Sequence, residues 1–124
     1  MLKVNSCEFN YQYGDQIHFP YRISSLVAYI KSRENLGNNF KFEKAFVLRE
    51  NVDEYIKKCV DTDILLCSCY VWNWEITNFL AKEVKKLNPN CLIIFGGAQV
   101  PDFSKDFFKQ HFLRSITSWY DHNI

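Results

Sequence analysis

A chain of 124 residues, nearly half of them apolar, suits one domain around one core, and its composition is that of a globular protein. The formal net charge is +1 with both signs interspersed, so no basic face offers itself to nucleic acid or to an anionic membrane. No apolar run approaches the roughly 18 residues of a membrane helix, and Met1 to Asn10 lacks the core of a signal peptide, so a soluble, cytoplasmic, single-domain chain is expected.

Leu2 to Phe9 reads as a first, weak strand. Asn10 to Phe19 is polar and aromatic and is expected to be a loop. Pro20 suits a helix start, and Ile23, Leu26, Val27 and Ile30 follow as an apolar stripe at helical spacing. Asn35, Gly37, Asn38 and Asn39 end that helix. Phe40 to Leu48 is the second strand, best over Ala45 to Leu48. A short helix opening at Asp53 carries Tyr55, Ile56, Cys59 and Val60, and Asp61-Thr62-Asp63 is a turn.

Ile64 to Cys69 is a continuous apolar run, too short for a helix and typical of a strand buried on both faces. Asn73 is placed to cap the next helix, whose buried stripe is predicted as Ile76, Phe79, Leu80, Val84 and Leu87. Asn88-Pro89-Asn90 stops it, and Cys91 to Phe95 is the fourth strand. Pro101 and Asp102 precede a short helix through Gln110. Ser115 to Trp119 is a fifth strand, short and polar, with no helix to cover it, so the fold is expected to be incomplete at its C-terminus. Strands alternating with helices argue α/β architecture with a mostly parallel, right-handed sheet of four to five strands.

Ligands of such sheets bind outside the carboxyl ends of the strands. The first exit of interest reads Ser68-Cys69-Tyr70-Val71-Trp72-Asn73-Trp74. Its rings either pack under the next helix or form a flat wall for a large planar ligand, with Ser68 and Asn73 supplying hydrogen bonds. The second exit is Gly96-Gly97-Ala98-Gln99, which is either a tight turn or a place where a ligand approaches the backbone. The loop after the first strand holds Gly14, Asp15 and His18, and His18 is the candidate metal ligand.

The five cysteines include no C-x-x-C pair, and reduced core thiols are the expected reading. A G-x-G-x-x-G after the first strand, a phosphate-binding G-x-x-x-x-G-K-[ST] and a G-x-S-x-G elbow are all missing from the sequence. Only Glu8 stands near the first strand exit, where a phospho-accepting receiver would need paired acids.

The segments DILLCSCYVWNWEIT and LAKEVKKLNPNCLIIFGGAQVPD resemble the N-terminal cobalamin-binding domain of cobalamin-dependent radical S-adenosylmethionine (SAM) enzymes. Pro20-Tyr21-Arg22-Ile23 looks like the family's first helix, and Phe46 to Glu50 like its second strand and exit. The resemblance covers residues 1 to about 110 and leaves 111–124 as an atypical tail. It implies a flavodoxin-like (Rossmann-like) three-layer sandwich with the corrin ring over the strand carboxyl ends. Ser68 would match the serine of an S-x-L element that bonds the nucleotide tail, with Tyr70 in the leucine place. Gly96 and Gly97 would make room for that tail, with Ala98 and Gln99 beside them and Gly14 on the first loop. Tyr70, Trp72 and Trp74 would lie near the corrin.

The D-x-H-x-x-G signature of methionine-synthase-like domains is missing, and His18 stands as the one candidate cobalt ligand without that motif. A C-x-x-x-C-x-x-C is missing too, so no iron–sulfur cluster is expected in this chain and radical chemistry would need a separate radical SAM domain or subunit. The alternative is a vestigial interaction or regulatory module without cofactor, whose open strand edge would favour a homodimer.

Overall fold

The computed structural model describes residues 1–10, 12–13, 16–17, 20–97 and 116–118. Five parallel strands form its main sheet: β1 (Leu2–Cys7), β4 (Phe40–Phe42), β5 (Ile64–Ser68), β6 (Leu92–Gly96) and β7 (Ile116–Ser118). Their spatial order is β4-β1-β5-β6-β7. Counted along the chain this is 2-1-3-4-5, the flavodoxin-like doubly wound order. The expected α/β class, parallel sheet and fifth strand are therefore all present.

Register sorts the strand residues by face. Cys7 pairs with Cys67, and Cys67 with Phe95, so these side chains share one face with Asn5, Leu65 and Ile93. That face carries the main core. Tyr55 of α3 (Val52–Lys58) and Leu80, Ala81 and Val84 of α4 (Trp74–Leu87) pack onto it. Ser6, Leu66, Ile94, Ser68 and Gly96 lie on the opposite face, where α1 (Tyr21–Ser32) packs against β5. Helices on both faces give the three layers. Among the described residues no helix is long and apolar enough to cross a membrane.

Several local expectations need correction. The predicted first loop contains a small antiparallel hairpin of β2 (Gln12–Tyr13) and β3 (Gln16–Ile17). Helix α1 breaks at Arg33, whose extended backbone separates it from one further turn, α2 (Glu34–Gly37). Strand β4 lies at Phe40–Phe42, not Ala45 to Leu48. The Glu43 N–H donates to Val4 O, whereas the next bond to β1 runs from Phe46 N–H to Ser6 O. One extra residue therefore bulges out, and Phe46 rejoins β1 only as an isolated bridge to Cys7.

On α4 the buried stripe is Thr77, Leu80, Ala81 and Val84, while Phe79 and Leu87 are exposed. Small Thr77 and Ala81 allow close approach to a sheet face already filled by Ile93 and Phe95. Val60 is exposed just past α3.

Candidate functional site

Strands β5 and β6 end side by side, with Ser68 paired to Gly96. On the α1 face above this pair lies a cleft of about 380 Å³, lined by Arg22, Leu26, Ser68, Tyr70, Gly96 and Gly97 among others. Its size is within the roughly 300–1,000 Å³ of small-molecule sites, and its position matches the ligand side of an open parallel sheet. Ser68 is 5% exposed. Its hydroxyl makes no hydrogen bond among the described residues. A buried hydroxyl facing a cleft without a partner is a ready contact for a polar ligand atom.

The two glycines differ. Gly97 has φ +113°, and a Cβ there would lie 2.5 Å from the carbonyl oxygen of Cys69. The fold itself demands glycine at that position. A Cβ on Gly96 would meet nothing within 4 Å. Register puts it beside Ser68, so it would enter the cleft. The absence of a side chain at Gly96 is what leaves the slot open.

The aromatic run after β5 also divides. Tyr70 and Trp72 stack with centroids 4.8 Å apart and planes 9° from parallel, and the Arg22 guanidinium carbon sits 4.2 Å from the Tyr70 ring centre. Arg22 and Tyr70 line one side of the cleft, and Trp72 backs the Tyr70 ring. Trp72 is fixed by its Nε1–H donating to Asn10 Oδ1 and by its carbonyl accepting from Arg49. Trp74 turns to the other side of the sheet and meets Phe95 edge-on at 6.0 Å. Of the three rings it is the one that packs under the helix.

Asn73 is fully buried and does not cap α4 with its side chain. Its Oδ1 accepts from Tyr70 N–H, and its Nδ2 donates to Phe9 O and Ser68 O. The amide thus ties the β1 exit to the β5 exit and shapes the loop that presents Tyr70 and Trp72. Both polar atoms are engaged inside the protein, so Asn73 positions the wall of the cleft.

Two residues were named in the sequence but not as candidate site residues. Arg22 lines the cleft, and the signal was available, since the first turn of a helix following a strand exit faces the ligand side. Glu8 is buried at 2% exposure, and its carboxylate accepts the Ile23 N–H at 3.1 Å, filling the N-terminus of α1. Gly14, His18, Ala98 and Gln99, and the predicted helix ending at Gln110, lie outside the described residues.

All five thiols are free and buried. Burial pushes Cys59 up to about 12 and Cys91 up to about 11, and raises Cys67 and Cys69 as well. Side chains held in the neutral thiol form act here as small apolar filling of the core. Among the described residues no group of three His, Cys, Asp or Glu is placed to hold a metal ion.

No family model matches the chain. Over 86 residues, 69% of this chain, it is 36% identical to the cobalamin-dependent radical SAM methyltransferase TokK of Streptomyces tokunonensis. It is 34% identical over the same length to the 2-(S-pantetheinyl)-carbapenam-3-carboxylate methyltransferase of Streptantibioticus cattleyicolor. The match spans about 13% of the length of each relative. Over that segment, the chain is similar to cobalamin-dependent radical SAM methyltransferases, of which it spans only a small part.

Proposed function

We propose that this chain binds cobalamin, seating the nucleotide tail in the β5–β6 cleft and the corrin ring above the strand carboxyl ends. The observation that carries this reading is the cleft's construction. A buried Ser68 hydroxyl, unpartnered among the described residues, faces a space held open by Gly96 at adjacent parallel strand exits. The relationship to a cobalamin-dependent enzyme supports the choice of ligand.

In this arrangement Ser68 Oγ bonds a polar atom of the tail, and Gly96 leaves room for the tail beside β6. The flat Tyr70–Trp72 stack covers the apolar edge of the tail or the ring. Asn73 and Gly97 keep the two exits in place. Bound cobalamin supplies the reactive organometallic chemistry, and the chain supplies binding and orientation. Radical SAM chemistry resides in a partner domain or subunit.

Titration of the chain with hydroxocobalamin tests the reading. The expected result is a shift of the cobalamin visible spectrum and co-elution on size exclusion. No spectral change and no retention at high micromolar concentration would overturn it.

A further inference from the structure

Phosphate groups in α/β proteins are commonly held by free N–H groups at a helix N-terminus beside a strand exit. Here part of that arrangement is already taken. Pro20, at the N-cap of α1, has no N–H, and the Ile23 N–H is taken by the buried Glu8 carboxylate. A carboxylate in this place repels an anion from the helix end.

The cleft nevertheless keeps one cation. Arg22 is the sole charged residue among its described lining, and no Asp or Glu shares that lining. Its guanidinium lies over the Tyr70 ring, which is itself backed by Trp72. A guanidinium placed over a ring face still carries five N–H donors, and their fork suits a charge-assisted contact to phosphate. Across the cleft stands the Ser68 hydroxyl, unpartnered among the described residues. A side-chain cation and a hydroxyl thus take the place of the helix amides.

We infer that Arg22, held on the Tyr70–Trp72 stack, recognises the phosphodiester of the cobalamin nucleotide tail and makes the cleft selective for complete cobalamin over tail-less corrinoids. This rests on the cobalamin reading above. The contact is charge-assisted, so removing it should weaken binding by about 10- to 100-fold.

The test uses the whole chain with hydroxocobalamin, with cobinamide, which lacks the phosphodiester, ribose and benzimidazole, and with adenosine monophosphate. Arg22→Gln should lose about 10- to 100-fold in affinity for hydroxocobalamin and nothing for cobinamide. Arg22→Lys, which keeps the charge, should recover part of that loss. Arg22 is exposed, so the urea midpoint of each variant should match that of the parent chain.

An unchanged hydroxocobalamin affinity, or an equal loss for both corrinoids, would overturn the inference while leaving cobalamin binding intact. Failure of the parent chain to bind either corrinoid would overturn both readings. Tight, Arg22-dependent binding of adenosine monophosphate without corrinoid binding would assign the cleft to a free nucleotide and likewise refute the proposal.

Discussion

Replacing Gly97 by alanine puts a methyl group 2.5 Å from Cys69 O and 3.0 Å from Cys69 N. Both are backbone atoms at the end of β5, fixed by Cys69 N–H donating to Gly96 O at 2.7 Å. Neither swings aside as a flexible side chain would. The positive φ costs about 1–3 kcal/mol with a Cβ present, and relieving the overlap costs about as much again. Gly97→Ala should therefore lose roughly 2–5 kcal/mol of stability.

Gly96→Ala is the internal control. Its Cβ meets nothing within 4 Å, and alanine restricts the unfolded chain, which is worth about 0.4–1 kcal/mol in favour of folding. That variant should fold within about 1 kcal/mol of the parent and yet bind hydroxocobalamin more weakly, because the methyl enters the slot beside Ser68. Urea unfolding followed by circular dichroism reads the first effect, and visible titration the second. Equal unfolding midpoints for the two alanine variants would refute the assignment of Gly97 to the fold and Gly96 to the ligand.

Asn73→Ala removes three hydrogen bonds at a fully buried position and orphans backbone groups of Phe9, Ser68 and Tyr70. A loss of about 2–4 kcal/mol is expected in urea unfolding, and a loss below about 1 kcal/mol would contradict the clamp. Trp74→Ala should cost about 2–3 kcal/mol, whereas the more exposed Trp72→Ala should cost about 1 or less and act on ligand binding; a reversed order would contradict the division of the rings between core and cleft.

The thiols make alkaline pH destabilising. Cys59 titrates near 12 in the folded chain against an ordinary value of 9.0, so the unfolded chain releases its proton first. Stability is complete below pH 9 and falls by about 1.4 kcal/mol per pH unit for each such thiol above it, until the folded value is reached. Cys91 should contribute the same way up to about pH 11. A flat urea midpoint between pH 8 and 10.5 would contradict this. A thiol reagent at pH 8 should modify all five cysteines in urea and the native chain only slowly.

Much of the fold follows from local chemistry. An apolar run as short as Ile64 to Cys69 is too short for a helix and buries best as a strand, and the Asn73 and Asn88-Pro89-Asn90 boundaries bracket α4 by propensity. The alternation of strand and helix then leaves a parallel sheet as the compact solution. The two strand exits carrying Ser68 and Gly96 were legible for the same reason, since ligand sites follow the strand ends.

Tertiary packing decided the rest. Whether Trp74 or Tyr70 faces the ligand depends on how the loop after β5 turns, and that turn is imposed by Asn73 bonding to Phe9, 64 residues away in sequence. Which glycine is indispensable depends on the close approach of Cys69, a contact between neighbouring strands. The rotation of α4 was set by the room above Ile93 and Phe95, which a helical period cannot report. Arg22 became part of the site only when α1 laid it over Tyr70. Local sequence determines which elements form and which ends of them can bind; the aim of each side chain is a long-range property, because it depends on the shape of surfaces that meet only after the chain has folded.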